Sequence, residues 1–264
     1  MSAPAPADKT EDLLFERDGT LGLITLNRPQ ARNALTFAMY ERLAELCRSP
    51  DDLGVKVLVI TGAGEKAFAA GTDIAQFRGF TTDQHALDYE AKMDDVLGAV
   101  ERCPLPTIAA IAGACTGGGA AIAAACDLRI ATADLKFGFP IARTLGNCLS
   151  VANLARLVAL LGAGRTREII FTSRLVRAEE ALTAGLVSEI LDDHAALMAR
   201  ARSLAETLAE QAPLTLRATK EGLRRLAQRD VEDSDLILSC YTSEDFREGL
   251  EAFLAKRKPD WQGR

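Results

Sequence analysis

Histidine is nearly absent from this 264-residue chain, which holds only His85 and His194. Its six cysteines are Cys47, Cys103, Cys115, Cys126, Cys148 and Cys240, and no two are separated by just two residues. That excludes a zinc site of ordinary ligand spacing, and no metal is expected. Aromatic residues make up 5% of the chain, so its core has to be built from Ala, Leu, Ile and Val. Positive charge is not in excess: 31 Lys and Arg face 37 Asp and Glu, for a net charge of −6. This argues against nucleic acid as a partner, which would call for a basic stripe. The longest apolar stretch, around residues 108 to 125, is interrupted by Gly113 and by Gly117-Gly118-Gly119. No membrane span and no membrane partner are expected from it. Residues 1–10 are rich in Ala and Pro and lack the basic and apolar regions of a secretory signal, so they read as a disordered leader. The cysteines then read as free, buried thiols in a reducing cytoplasm.

What remains is an ordinary globular composition, 48% hydrophobic and 26% charged, with ample length for one large core. Phe15 to Leu26 reads as strand, Asp18-Gly19 turn and strand. Residues 36–48 carry apolar side chains at 37, 39, 43, 46 and 47, a helical spacing. Short β-branched or apolar runs at 55–61 and 107–111 read as strands buried on both faces, with a helix over 83–103 between them. A helix over 117–126 and short strands at 128–131 and 135–137 follow. From about residue 150 the pattern is helical, with helices expected at 151–161, 166–171, 178–184, 194–211, 213–229 and 234–256. Strand–helix alternation followed by a helical tail indicates an α/β core with a C-terminal helical subdomain.

Two glycine-rich turns each follow a buried strand: Ala67-Phe68-Ala69-Ala70-Gly71-Thr72-Asp73 and Gly113-Ala114-Cys115-Thr116-Gly117-Gly118-Gly119. Neither has the residues of a phosphate loop or the spacing of a dinucleotide fingerprint. A glycine triplet opening an Ala-rich helix leaves N–H groups aimed at one spot, with the positive end of the helix dipole behind them. Two such turns could each donate one hydrogen bond to a developing oxyanion, or could simply be tight turns beside a packed helix.

Several motifs occur in a characteristic order: residues 24–29 with Asn33-Ala34-Leu35, 57–62, 68–73, 106–111, Gly117-Gly118-Gly119 with Ala125-Cys126-Asp127, 137–140, 184–187, and Glu248-Gly249 ahead of Lys256-Arg257-Lys258-Pro259. In this order the chain resembles the crotonase superfamily, the enoyl-CoA hydratases and isomerases, over nearly its whole length. The resemblance implies an α/β fold, a crotonase-type spiral of ββα units spanning residues 11–195. It further implies a helical trimerisation region at 196–264, and homotrimers or dimers of trimers. The implied partner is an acyl-CoA thioester of fatty acid metabolism; coenzyme A enters as part of the substrate, and no separate cofactor is expected. By position, the N–H groups of Thr72 and Gly118 correspond to the oxyanion donors. Arg28, Ala69, Ala70, Gly71, Gly117 and Lys256 correspond to substrate and coenzyme A contacts.

The departures bear on the reaction. Hydration in the family uses two carboxylates, one to activate water and one to deliver a proton. The two corresponding positions here are Ala121 and Ile141. The loop from Pro140 to Gly146 is one residue longer than the family pattern. Replacement groups could come from the helix carrying Asp83, His85, Asp88, Tyr89 and Glu90, or from the loop carrying Arg143, Thr144, Asn147 and Cys148. Arg143 could anchor a substrate carboxylate but cannot act as a base. Cys148 could be a nucleophile or, as its composition favours, a small core residue. Asp73 reads as a helix cap. Three readings stay open: a hydratase with a relocated acid/base, an isomerase or decarboxylase using the same oxyanion hole, and a non-catalytic acyl-CoA-binding protein.

Overall fold

The chain opens on a hairpin because Gly19 takes a left-handed conformation (φ 59°) between two strands, β1 (Leu13–Asp18) and β2 (Leu21–Leu26), paired antiparallel from Leu13 with Leu26 to Asp18 with Leu21. The computed structural model describes residues 12–227 and 233–264, and the expected leader at 1–10 lies outside them. After α1 (Phe37–Arg48), a unit of two strands and a helix repeats three times. The first is β3 (Val57–Gly62), β4 (Ala67–Ala69) and α2 (Asp83–Glu101), with a 3-10 turn at Ile74–Gly79 between the last two. The second is β5 (Thr107–Ile111), β6 (Ala114–Thr116) and α3 (Gly118–Ala125). The third is β7 (Leu128–Thr132), β8 (Lys136–Gly138) and α4 (Val151–Thr172).

Each unit sends its first strand to one sheet and its second to another. The larger sheet has the order β1-β2-β3-β5-β7-β10, where β10 is Glu189–Leu191. The smaller has the order β4-β6-β8-β9, where β9 is Val176–Arg177. Strands β2, β3, β5, β7 and β10 run parallel, as do β4, β6 and β8. This is the ββα spiral implied by the resemblance. Every residue of β3 and β5 is buried, as expected of parallel strands covered on both faces. The larger core fills the space between the two sheets and the helices. The smaller sits behind the large sheet, where Leu197, Ala201 and Ala205 of α6 (His194–Ala209) pack on Val57, Val59 and Ile108.

Several local expectations change. The stretches 67–73 and 113–119, read as glycine-rich turns, include the strands β4 and β6, each too short to show a period. The helices expected at 151–161 and 166–171 are two arms of α4 that meet at Gly162, whose φ of 74° and ψ of 157° are not helical. The single helix expected at 234–256 is two, α8 (Ser234–Tyr241) and α9 (Glu244–Ala255). Ser243 divides them: its hydroxyl accepts from Phe246 N at 2.9 Å and starts a new helix, as a serine cap does. Helices α5 (Ala178–Thr183) and α7 (Pro213–Ala227) lie where expected within their described residues. Among the described residues no helix is long and apolar enough to cross a membrane.

Candidate active site

Because β4 and β6 are parallel neighbours, the two glycine turns that follow them open at the same edge of the small sheet. Gly117 has φ 52° and ψ −121°, a conformation that disfavours any side chain. A Cβ there would stand 3.4 Å from the Cα of Gly71, so the two turns face each other. The first turn is fixed on both sides of Thr72: Leu35 N donates to Gly71 O at 2.8 Å and Asp73 N to Leu35 O at 2.9 Å. The second is fixed by Gly117 N donating to Gly138 O at 3.0 Å and Ala121 N to Gly117 O at 2.9 Å. The N–H groups of Thr72 and Gly118 themselves have no acceptor among the described residues. Gly118 is also the first residue of α3, at the positive end of its dipole.

These turns form one wall of a cavity of about 190 Å³. The rest of the lining comes from Tyr89, Glu90, Met93 and Leu97 of α2 and from the loop between Phe139 and Leu149. Most of the lining is apolar, and Tyr89 is held in place by edge-on packing against Phe77, with ring centres 4.9 Å apart. Glu90 is the one carboxylate among the described lining residues. Burial, with the nearby Asp94 carboxylate, pushes the Glu90 carboxyl above its ordinary range, against a main-chain hydrogen bond at Ser150 that lowers it. A carboxyl raised in this way holds its proton more readily than a free glutamate does.

Of the residues expected at the site, Ala70, Gly71, Thr72, Gly117 and Gly118 all meet at the cavity. Ala121 and Ile141 also stand in its wall and present only apolar groups. Cys148 lines the cavity too, but it is exposed rather than buried, within a run of exposed residues at 142–148. Of the other cysteines, four are buried and Cys240 is half-buried. Arg143 ends the 3-10 turn at Pro140–Ala142 with an exposed side chain and is not among the lining residues, although its neighbours Ile141 and Thr144 are. Arg28 is also outside the lining. Its guanidinium bonds Asp73 at 3.0 Å and the Ala34 carbonyl at 2.7 Å, bracing the Thr72 turn from behind. Asp73 is the cap that the sequence suggests, accepting from Ala75 N at 3.1 Å. Ala69 is buried within β4, and Lys256 is the exposed, left-handed end of α9 (φ 51°); neither lines the cavity. On α2, Tyr89 and Glu90 face inward, whereas His85 and Asp88 are bound to Thr81 N and Gln84.

Tyr40 is a polar lining residue that the sequence does not single out. Three residues after Phe37 and three before Leu43, it falls on the buried stripe of α1 and lines the cavity. A buried tyrosine whose polar tip needs a partner is the only available sequence signal, and it does not say where that partner lies.

Comparison with known proteins places the chain in a family. The family model described as enoyl-CoA hydratase/isomerase matches residues 16–264. A short-chain-enoyl-CoA hydratase of Clostridium acetobutylicum is 32% identical over 258 residues, covering 94% of this chain and 96% of the relative. A crotonyl-CoA hydratase of Syntrophomonas wolfei is 31% identical over 257 residues, covering 95% and 98%. The crystal structure of an enoyl-CoA hydratase/isomerase family protein from Hyphomonas neptunium superposes with a TM-score of 0.89 at 36% identity, covering 97% of this chain and 99% of that one.

Proposed function

Because the chain belongs to the enoyl-CoA hydratase/isomerase family, we propose that it binds a short enoyl-CoA thioester and stabilises the enolate of that thioester between Thr72 N–H and Gly118 N–H. The observation that carries this reading is the pair of unpaired N–H groups on facing turns at one cavity. The cavity volume of about 190 Å³ is below the ~300–1,000 Å³ of pockets for drug-sized ligands. That supports a short acyl chain, as do the names of the two bacterial relatives.

Ala121 and Ile141 stand where the family's two glutamates would be, so the proton chemistry passes to Glu90. As a base, Glu90 takes a proton from the carbon next to the double bond. The electron pair moves onto the thioester oxygen, where the two N–H groups hold it. The resulting Glu90 carboxylic acid then returns the proton to the far carbon of the allylic system, and the double bond shifts. One carboxylate suffices for this, which favours isomerisation. Hydration is the second reading and is favoured by the relatives' names; there Glu90 would activate the water. Decarboxylation is disfavoured, since the only charged group lining the cavity among the described residues is itself an anion.

Two thioesters separate the readings. With 3-butenoyl-CoA, isomerisation raises the conjugated thioester absorbance; with crotonyl-CoA, hydration lowers it. We expect the first signal to dominate. Binding without either signal would leave a non-catalytic acyl-CoA-binding protein. The assembly proposed is a homotrimer or a dimer of trimers in the cytoplasm, built through residues 196–264. Exposed Leu223, Leu226, Leu238, Leu250, Phe253 and Leu254 on α7, α8 and α9 support a buried subunit interface there. Lys256 would then meet coenzyme A, in the same subunit or a neighbouring one.

A further inference from the structure

Three hydroxyls meet beside Gly118. Tyr40 Oη lies 2.9 Å from Thr72 Oγ1, and Thr72 Oγ1 lies 3.0 Å from Tyr89 Oη. The three oxygens carry three protons but make only two hydrogen bonds with one another. Thr72 has a single proton and cannot donate in both directions, so at least one tyrosine donates to it. Every allowed arrangement therefore leaves one O–H with no acceptor among the described residues. Ionisation does not remove that proton, because burial holds the Tyr40 hydroxyl well above the ordinary phenol range.

The position of the chain says where its missing acceptor belongs. A Cβ built on Gly118 would stand 1.8 Å from Tyr40 Oη and 3.2 Å from Thr72 Oγ1, so both hydroxyls crowd the residue whose N–H faces the cavity. Tyr40 is the dry end of the chain, fully buried, and Tyr89 is the half-buried end. Bonds running from Tyr89 to Thr72 to Tyr40 deliver the spare proton next to Gly118, each bond polarising the next. We infer that the Tyr40 hydroxyl is a third donor to the thioester oxygen, aligned by Thr72 and Tyr89. The inference rests on the enolate reading above and adds a side-chain donor to its two main-chain ones. The donation strengthens as charge collects on the oxygen, so it acts on the transition state more than on the bound ground state.

The test uses 2,4-hexadienoyl-CoA, whose absorption moves to longer wavelength when its carbonyl is polarised. A second readout is the exchange of the α-protons of butyryl-CoA in deuterium oxide. Wild-type protein should give a red shift on binding and measurable exchange. Tyr40→Phe, which keeps the ring, should shrink the red shift and slow exchange by about tenfold or more, approaching the ~100-fold of a lost oxyanion donor. Affinity for the thioester should change much less. Tyr89→Phe should give a smaller loss in both readouts. A full red shift and full exchange in Tyr40→Phe overturn the third donor while leaving the enolate reading intact. No shift and no exchange in the wild type overturn the enolate reading and this donor with it. If Tyr40→Phe does not fold, Tyr89→Phe and Thr72→Val decide, and wild-type behaviour of both overturns the inference.

Discussion

The two walls of the cavity are made of different material. One is main chain: Gly71-Thr72 and Gly117-Gly118, held by strand pairing and by hydrogen bonds on both sides of each donor. The other is side chain: Tyr89 and Glu90 on α2, with Ile141, Leu145 and Cys148 on the loop. A donor made of backbone is placed by the fold and does not depend on which side chain is present, so it can persist while the side-chain wall changes. In this chain that wall has one carboxylate among the described lining residues, Glu90. On the proposed reading, ligand class and reaction type are carried by separate parts of one pocket.

The sharpest way to break the contrast is at the side-chain wall. Glu90→Gln should cut turnover by ~10²–10⁴, the range of a lost general acid/base, with thioester affinity retained; steady-state kinetics and a binding titration check both. Because Glu90 works as a base only when ionised and its pKa is raised, the wild-type rate should climb with pH through a midpoint above the usual ~4.3 of glutamate. That limb should vanish in the variant. The stability effect has the opposite sign. A carboxyl whose folded pKa is raised favours the folded state at low pH, and that benefit is lost as pH rises through the unfolded and then the folded value. Glu90→Gln should therefore melt higher than wild type at about pH 7, and the difference should narrow toward about pH 4.

At the main-chain wall, Gly118→Pro removes a donor and should cost turnover ~10²–10³. Made in the Tyr40→Phe background, so that the new ring does not meet the tyrosine hydroxyl, it should cost that factor relative to Tyr40→Phe alone. A smaller effect tests packing alone. Gly118→Ala puts a methyl onto Tyr40 Oη and should destabilise by about 1–3 kcal/mol. Tyr40→Phe removes that oxygen, so the double variant should melt above Gly118→Ala; additive losses would contradict the geometry. The least change is expected from Cys148→Ser. Turnover on 3-butenoyl-CoA should stay within about twofold, since the proton chemistry is assigned to Glu90 and the thiol lies on the exposed loop.

Much of the main-chain wall was legible in the sequence. Glycines at 71 and 117–119, each a few residues after a buried strand, mark places where backbone approaches backbone. The side-chain wall was less so. Glu90 could be placed on a helix but not distinguished from Asp88, because both lie on polar stretches and only packing decides which one faces inward. Arg143 was equally available to the cavity or to solvent, and the folded chain leaves it exposed and out of the lining.

The sequence by itself determined the doubly buried strands β3 and β5, the order of motifs that marks the family, and the glycine turns, because periodicity, β-branching and glycine are local properties. Tertiary structure decided which distant residues meet. The strands β4 and β6 span three residues each, too few for a pattern, yet their parallel pairing is what brings the two turns face to face. Tyr40, Thr72 and Tyr89 are 32 and 17 residues apart in the chain. Their contact comes from the packing of α1 and α2 around the Thr72 turn, which no local period encodes.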